Sequence, residues 1–410
     1  MPKTENFRPV LRFAAMSDVH FKDYHSVERE RFRTALANSY AFAAQDAEHP
    51  TLDALCVIGD FTDRGTETQL QAFHEALTKQ LRPETHLILS IASHEFGDAG
   101  TAVAEERLAR IFGKKPDEHA VVQGFHFISM SPSKKFSPKN GYCEQKRAWM
   151  LDQLDMAAAD DPKKPIFAFQ HPHIPNTVYG SIGWSCDDIT GIYDDYPQVI
   201  NFSGHSHAPI NDPRSIHQNN FTSLNMGSLS YFELDEFDKI YGTVPPDRAQ
   251  CAQFYIVEAD AENRVRILLY DILTESFFPE VWHIDEPSNR DSFLYTDEKR
   301  KKDNLPYFKP QAVLSVEVKD GGACVLRIPQ ADIAEEYVND YDIAFRDAKT
   351  GEALRRFAVW SKYYLRHMPD EIVQEVDGLI PGKAYVVEVW PRNFYGRRGK
   401  TKLTAEFVAK

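Results

Sequence analysis

Short apolar runs and longer mixed stretches alternate through most of the chain. Residues 10–17 form an apolar run suited to a strand, and residues 26–47 follow with apolar and charged positions interleaved over a window of helical length. The alternation repeats as a strand over residues 55–59, a helix over 67–81 and a strand over 86–92. Each such element has one apolar face to cover, so the pattern predicts a layered α/β domain. Residues 120–130, 166–170, 199–203, 254–258 and 265–270 also read as strands. Few helical stretches separate the last three, so the sheet is expected to be mixed rather than wholly parallel.

The texture changes near residue 305. Beyond Tyr307, β-rich segments at 312–318, 323–328, 341–346 and 384–390 are separated by turn residues such as Asp320-Gly321-Gly322 and Thr350-Gly351. That spacing predicts a small all-β sandwich. A chain of 410 residues exceeds what one compact core usually holds. The change of pattern divides it into an α/β domain over residues 1–305 and a β domain over 306–410. Leu379-Ile380-Pro381-Gly382 ahead of an alternating strand resembles the late strands of a fibronectin type III domain. Such a module implies a surface for a protein or glycan partner, a rigid spacer or a dimer element.

Composition is that of a folded chain, with 42% hydrophobic and 26% charged residues. The formal net charge is −14, and the acidic excess is carried before residue 305. Binding a nucleic-acid backbone needs a basic face, and the one basic run is the short Lys299-Arg300-Lys301-Lys302, so such binding is not expected. The five cysteines include no Cys-x-x-Cys pair, which suggests neither a disulfide framework nor a thiolate zinc site. Residues 1–6 lack a basic region followed by a long apolar stretch, and no window is apolar for long enough to cross a bilayer. No export signal, no membrane span and a cytoplasmic location are the expectations.

Chemistry gathers where the strands end. Asp18-Val19-His20 follows the first strand, Gly59-Asp60-Phe61-Thr62-Asp63-Arg64-Gly65 the second and Ser93-His94-Glu95 the third. Two later strands end in His171 and in Gly204-His205-Ser206-His207. Loops beyond the C-terminal ends of strands form the binding side of an open α/β sheet, so these five can converge on one site. Alone, an Asp-x-His or a Gly-His-x-His is more often a turn or a surface cluster, but five such loops in order point to metal. Carboxylates and neutral imidazoles suit divalent manganese, iron, zinc or nickel. Asp60 is the natural bridge between two ions, with Asp18, His20 and His207 on one and His171 and His205 on the other. Two ions about 4 Å apart can hold phosphoryl oxygens and acidify a bridging water, so no protein nucleophile is required.

Asp18-x-His20, Gly59-Asp60-x-x-Asp63, His94, His171 and Gly204-His205-x-His207 resemble the motif series of calcineurin-like metallophosphoesterases. The resemblance implies a two-sheet α/β/β/α sandwich, two divalent ions and hydrolysis of a small phosphoester, monoester or diester, by a metal-bridging water. It also implies that His94 protonates the leaving-group oxygen as general acid and that Asp63 orients its imidazole. Arg64, in an Asp-Arg-Gly sequence similar to that of serine/threonine protein phosphatases, is either a phosphoryl contact or a surface ion-pair partner. One position departs from the family: its Gly-Asn-His is Ala92-Ser93-His94 here, so Ser93 offers the second metal a short hydroxyl in place of an amide oxygen. A weaker second ion, or a preference for a different ion there, is expected, and the alternative is a catalytically weakened protein that serves as a binding or adaptor module.

His173, two residues after His171, reads as a structural histidine or as one that supports the ligands rather than as a ligand itself, and His25, His74, His86 and His217 read as surface or packing residues. Between His171 and Val199, glycines are mixed with aromatics. There Tyr179 and Trp184 are candidates for covering a nucleobase or another flat leaving group, and Tyr193 and Tyr196 for packing the loop on the domain.

Overall fold

The computed structural model describes residues 6–97, 99–134, 141–234 and 236–410; residues 1–5, which belong to the segment read for an export signal, lie outside them. The chain forms two compact units, Met1–Asp235 with Asp247–Lys299, and Glu236–Pro246 with Arg300–Lys410. Among the described residues no helix is long and apolar enough to cross a membrane.

In the first unit the chain runs β1 (Pro9–Met16), α1 (Val27–Ala43), β2 (Ala54–Ile58), α2 (Glu67–Thr78), β3 (His86–Ser90), α3 (Ser93–Phe96), α4 (Thr101–Arg107), β4 (Asp117–Val122), β5 (Phe125–Met130) and α5 (Glu144–Asp160). It continues through β6 (Ile166–Phe169), β7 (Val199–Ser203), β8 (Ile216–Gln218), β9 (Thr222–Asn225), β10 (Gln253–Asp260), β11 (Val265–Asp271) and β12 (Ser276–Ile284). Two six-stranded sheets result, ordered β12-β11-β10-β1-β2-β3 and β4-β5-β6-β7-β9-β8.

Side chains alternate faces along a strand, and β1 uses both of its faces. Leu11, Phe13 and Ala15 enter the core shared by the two sheets, where they meet Phe127, Phe167 and Phe202. Phe13 sits edge-on to Phe127 at 5.1 Å and to Phe167 at 4.9 Å. Ala14 and Met16 face the other way, into a core with Phe32 and Leu36 of α1 and Phe73 and Leu77 of α2. The outer face of the second sheet is covered by Met150, Leu154 and Ala157 of α5. The layers are therefore α/β/β/α. Thr66 starts α2 by accepting a hydrogen bond from Gln69 N, the usual work of a threonine at that position.

Both sheets are mixed. β1, β2 and β3 run parallel, as do β5, β6, β7 and β9, whereas β10, β11 and β12 are antiparallel. The parallel strands bring their C-terminal ends, and the loops that follow, to one edge of each sheet. Residues 120–130, read as one strand, are instead a hairpin, because Gln123 and Gly124 turn the chain with φ of 49° and 76°.

The second unit contains β13 (Ser315–Lys319), β14 (Ala323–Pro329), β15 (Asp340–Asp347), β16 (Ala353–Trp360), β17 (Glu371–Val376), β18 (Ala384–Arg392) and β19 (Leu403–Val408). They form antiparallel sheets ordered β13-β14-β17 and β16-β15-β18-β19, consistent with a fibronectin type III-like domain. Leu326, Ile343, Phe345, Val387 and Val389 fill its core. Residues 236–246 pack here through Ile240 and Tyr241, and Lys239 forms a parallel bridge with Ala358 of β16. The Lys239 ammonium is buried 2.7 Å from Asp340 and 3.9 Å from the centre of the Trp360 ring.

Candidate metal centre

The strand-end loops carry unusual backbone. Asp18, His20, Asp60, His205 and His207 all lie in the left-handed region, with φ of 52°, 54°, 50°, 73° and 54°. A Cβ makes that region costly, though Asp and His enter it more readily than most residues. Gly59 and Gly204 allow the close approach between loops. A Cβ on Gly59 (φ 71°) would lie 2.5 Å from the His171 ring, and one on Gly204 would strike Ser17 Oγ. Backbone bonds from His20 N to Asp60 O (3.0 Å) and from Gly204 N to His171 O (2.9 Å) tie the loops in pairs.

Two groups of donors result. Asp18 Oδ1 lies 3.1 Å from His207 Nε2, 3.7 Å from His171 Nε2 and 3.8 Å from His20 Nε2. Asp60 Oδ2 lies 3.0 Å from His171 Nε2, 3.8 Å from His205 Nδ1 and 3.9 Å from His94 Nε2. One ligand atom each from Asp18, His20 and His207 fall within 4.8 Å of one another, and so do those of Asp60, His171 and His205, and of His20, Asp63 and His94.

Proton bookkeeping says what the groups fit. His171 Nδ1 donates to Ile58 O at 2.9 Å and His207 Nδ1 to Tyr231 O at 3.0 Å, which leaves both Nε2 lone pairs facing carboxylate oxygens. Neither Asp18 Oδ1 nor His171 Nε2, both buried, has a hydrogen-bond partner among the described residues. Lone pair against lone pair in a buried site needs either a cation or an extra proton. Burial pushes the His171 imidazole down, yet Asp60 and Asp18 outweigh it and raise the group to about 10. His207 is likewise raised, with burial overcome chiefly by Asp18. His20 and His205 are lowered, mainly by burial. Burial opposes ionisation of Asp18 and Asp60, but the surrounding histidines hold both well below the usual carboxylate range. Two carboxylates with converging imidazole nitrogens fit divalent transition metals.

The remaining candidates divide. Ser93 Oγ donates to Asp60 Oδ2 at 3.3 Å, beside about 10 Å³ of free space lined by Ser93, His171 and Cys186 among others, at the lower limit for one water molecule. His94 Nδ1 donates to the Asp63 backbone carbonyl at 2.6 Å. The Asp63 carboxylate is not that acceptor, though it is nearby, 4.0 Å from His20 Nδ1 and 3.6 Å from Arg64 Nε. The Arg64 side chain is 79% exposed. Trp184 stands edge-on to the His205 ring at 5.0 Å, whereas Tyr179 packs under the Arg214 guanidinium at 3.9 Å.

Residues 11–209 match the sequence profile of the calcineurin-like phosphoesterase family. This region is a calcineurin-like phosphoesterase domain. No curated protein matches the chain. Among solved structures, a purple acid phosphatase from yellow lupin (Lupinus luteus) is similar at 15% identity and a TM-score of 0.46, over 68% of this chain and 55% of that one. The chain thus spans little more than half of that phosphatase. The FN1–FN3 domains of chicken CNTN1 are similar at 13% identity and a TM-score of 0.20, over 38% of this chain and 47% of that one. The chicken interferon gamma receptor alpha chain is similar at 13% identity and a TM-score of 0.19, over 36% of this chain and 66% of that one.

Within the phosphoesterase domain, three residues matter that the motifs did not single out. Glu95 is buried and accepts from Asp60 N (2.9 Å), Thr62 N (2.8 Å), Thr62 Oγ1 (2.9 Å) and Ala92 N (2.9 Å). Burial first, and Asp60 next, raise its carboxyl to about 7 against the pull of those bonds. Ser17 Oγ donates to Ile58 O at 2.7 Å, joining the ends of β1 and β2. The Tyr231 ring lies 4.3 Å from His207. A glutamate directly after His94 was the one signal in the sequence for Glu95; its burial is a tertiary fact.

Proposed function

We propose that the phosphoesterase domain hydrolyses a phosphoester using two divalent ions, one at Asp18, His20 and His207 and one at Asp60, His171 and His205, with Asp60 shared. The supporting observation is the buried contact of His171 Nε2 with Asp60 Oδ2 at 3.0 Å, where a cation can take the place of the proton that the pair otherwise needs. When bound, such ions neutralise phosphoryl oxygens and acidify water, which removes the need for a protein nucleophile.

The chain's own residues supply the rest. Asp63 O takes the Nδ1 proton of His94, so Nε2 is the nitrogen available for a proton. The His94 side chain is 39% exposed, open enough to meet a substrate, and we assign it the delivery of that proton to the leaving oxygen. Exposed Arg64 is suited to a phosphoryl oxygen, and Trp184 beside His205 to a flat leaving group. Manganese, iron, zinc and nickel all suit the donor set.

A second reading is an adaptor with weakened catalysis, favoured by Ser93, whose hydroxyl is spent on Asp60. One experiment separates them. Purified protein is loaded in turn with each metal, its bound ions are counted, and it is assayed on p-nitrophenyl phosphate and bis(p-nitrophenyl) phosphate. Two ions with turnover of either ester support the enzyme. One ion or none, with no turnover, supports the adaptor.

A further inference from the structure

We propose that His173 is a positioning residue that sets the spread of His205 and His207 by holding Ser206 between them. The proposal rests on the reading of those two histidines as metal ligands. His173 is fully buried, with Nδ1 2.7 Å from Ser203 Oγ and Nε2 2.8 Å from Ser206 Oγ. In a neutral ring one nitrogen donates and the other accepts, so His173 can complement both hydroxyls at once. The other acceptors within reach are more distant, Leu224 O at 3.3 Å from Ser203 Oγ and Asn225 Oδ1 at 3.4 Å from Ser206 Oγ.

Ser206 is the middle residue of Gly204-His205-Ser206-His207, flanked by two left-handed residues at φ 73° and 54°. A turn strained on both sides persists only where its surroundings hold it. Its side-chain anchor is His173, and the space around that anchor is closed: a Cβ on Gly180 would lie 2.5 Å from Ser206 Cβ. The same side chain also receives Ala208 N at 3.4 Å, just past His207. Losing the His173 bond would let the turn relax, and His205 and His207 point to different donor groups, so both would shift. A bond to Ser203 at the end of β7 thus fixes the geometry of the loop that leaves it.

The test is calorimetric titration of Mn²⁺ into the full chain and four variants, with low-temperature electron paramagnetic resonance of the loaded proteins. His173→Ala is expected to weaken Mn²⁺ binding by about 10–100-fold and to alter the coupling between ions, the usual size of effect for a group that orients ligands. His173→Gln, whose amide can serve both hydroxyls, restores most of the affinity. Ser206→Ala reproduces the loss of affinity, and the double Ala variant binds no worse than either single one, because each removes the bond between His173 and Ser206. Wild-type affinity in a folded His173→Ala or Ser206→Ala protein overturns the clamp alone. So do additive losses in the double variant, or a melting temperature that falls equally in His173→Ala and His173→Gln without a change in affinity. Absence of Mn²⁺ binding by the wild type overturns the metal reading itself, and the clamp with it.

Discussion

His171 Nε2 stands 3.0 Å from Asp60 Oδ2 with its other nitrogen already committed to Ile58 O. Asp60 also lies near His205 and His94, so one carboxylate touches most of the second donor group. Asp60→Ala is therefore expected to abolish both metal content, by mass spectrometry of the purified protein, and phosphoester hydrolysis, while circular dichroism stays that of the wild type. Two ions retained in the variant would contradict the assignment.

His94 and Asp63 make a sharper pair. Because a backbone carbonyl rather than the Asp63 carboxylate receives His94 Nδ1–H, the two side chains need not act together. His94→Ala should lower kcat by about 10²–10⁴ with both ions retained, the size of a lost general acid. Asp63→Asn should leave most of that contribution intact. Equal losses in the two variants would show that the carboxylate orients the imidazole after all.

Glu95 gathers four donors from the loops that carry Asp60 and Ser93. In Glu95→Gln an amide NH₂ replaces one acceptor and faces backbone N–H groups. Leaving such buried donors without an acceptor costs about 1–3 kcal/mol. Urea unfolding of the metal-free protein should register that loss, and Mn²⁺ titration a weaker site. Both carboxylate oxygens accept a backbone N–H, so a flip of the glutamine offers no escape, and an unchanged midpoint would mean that the loops do not depend on the carboxylate.

These features differ in how far the sequence disclosed them. Strand-end loops bearing Asp18, Asp60, His171 and His205 stood out because polar ligand types follow apolar runs, a local signal. The hairpin at Gln123-Gly124 did not, since glutamine is an uncommon residue at positive φ and the apolar run spans the turn. Helix α5 was also missed: its inward stripe is only Met150, Leu154 and Ala157, too thin to stand out from the charged residues around it. Residues 236–246 leave one unit for the other, and no local pattern records a long-range partner. The Asp63 carbonyl lies still further from reach, because side-chain identity says nothing about which oxygen of a residue will be used.

The Lys239 ammonium lies among Asp340, Asp238 and Glu236 at 2.7, 2.8 and 2.9 Å, and Asp340 also receives Arg392 Nε at 2.6 Å. Lys239→Met would strip the charge from a buried pair and remove the ammonium that stands over Trp360. Removing one partner of such a pair costs about 3–5 kcal/mol. Urea unfolding followed by the fluorescence of the buried Trp360 should show this in the second unit. A loss well under 1 kcal/mol would mean that Arg392 alone satisfies Asp340.

His119 gives the first unit an acid-sensitive seam. Its imidazole joins β4 to α5 through Gln153 Oε1 at 2.9 Å and meets His126 Nδ1 at 2.8 Å. Burial, with His126 adding to it, lowers the group below its ordinary 6.5. The sign follows directly: below pH 6.5 the unfolded chain takes up a proton that the folded chain refuses, so stability falls as pH drops from about 6.5 towards the folded value. His119→Gln removes this titration and can keep the bond to α5. Melting temperature measured from pH 7.5 to 5 should therefore decline less steeply in His119→Gln than in the wild type. Parallel curves would place the acid sensitivity of this unit elsewhere.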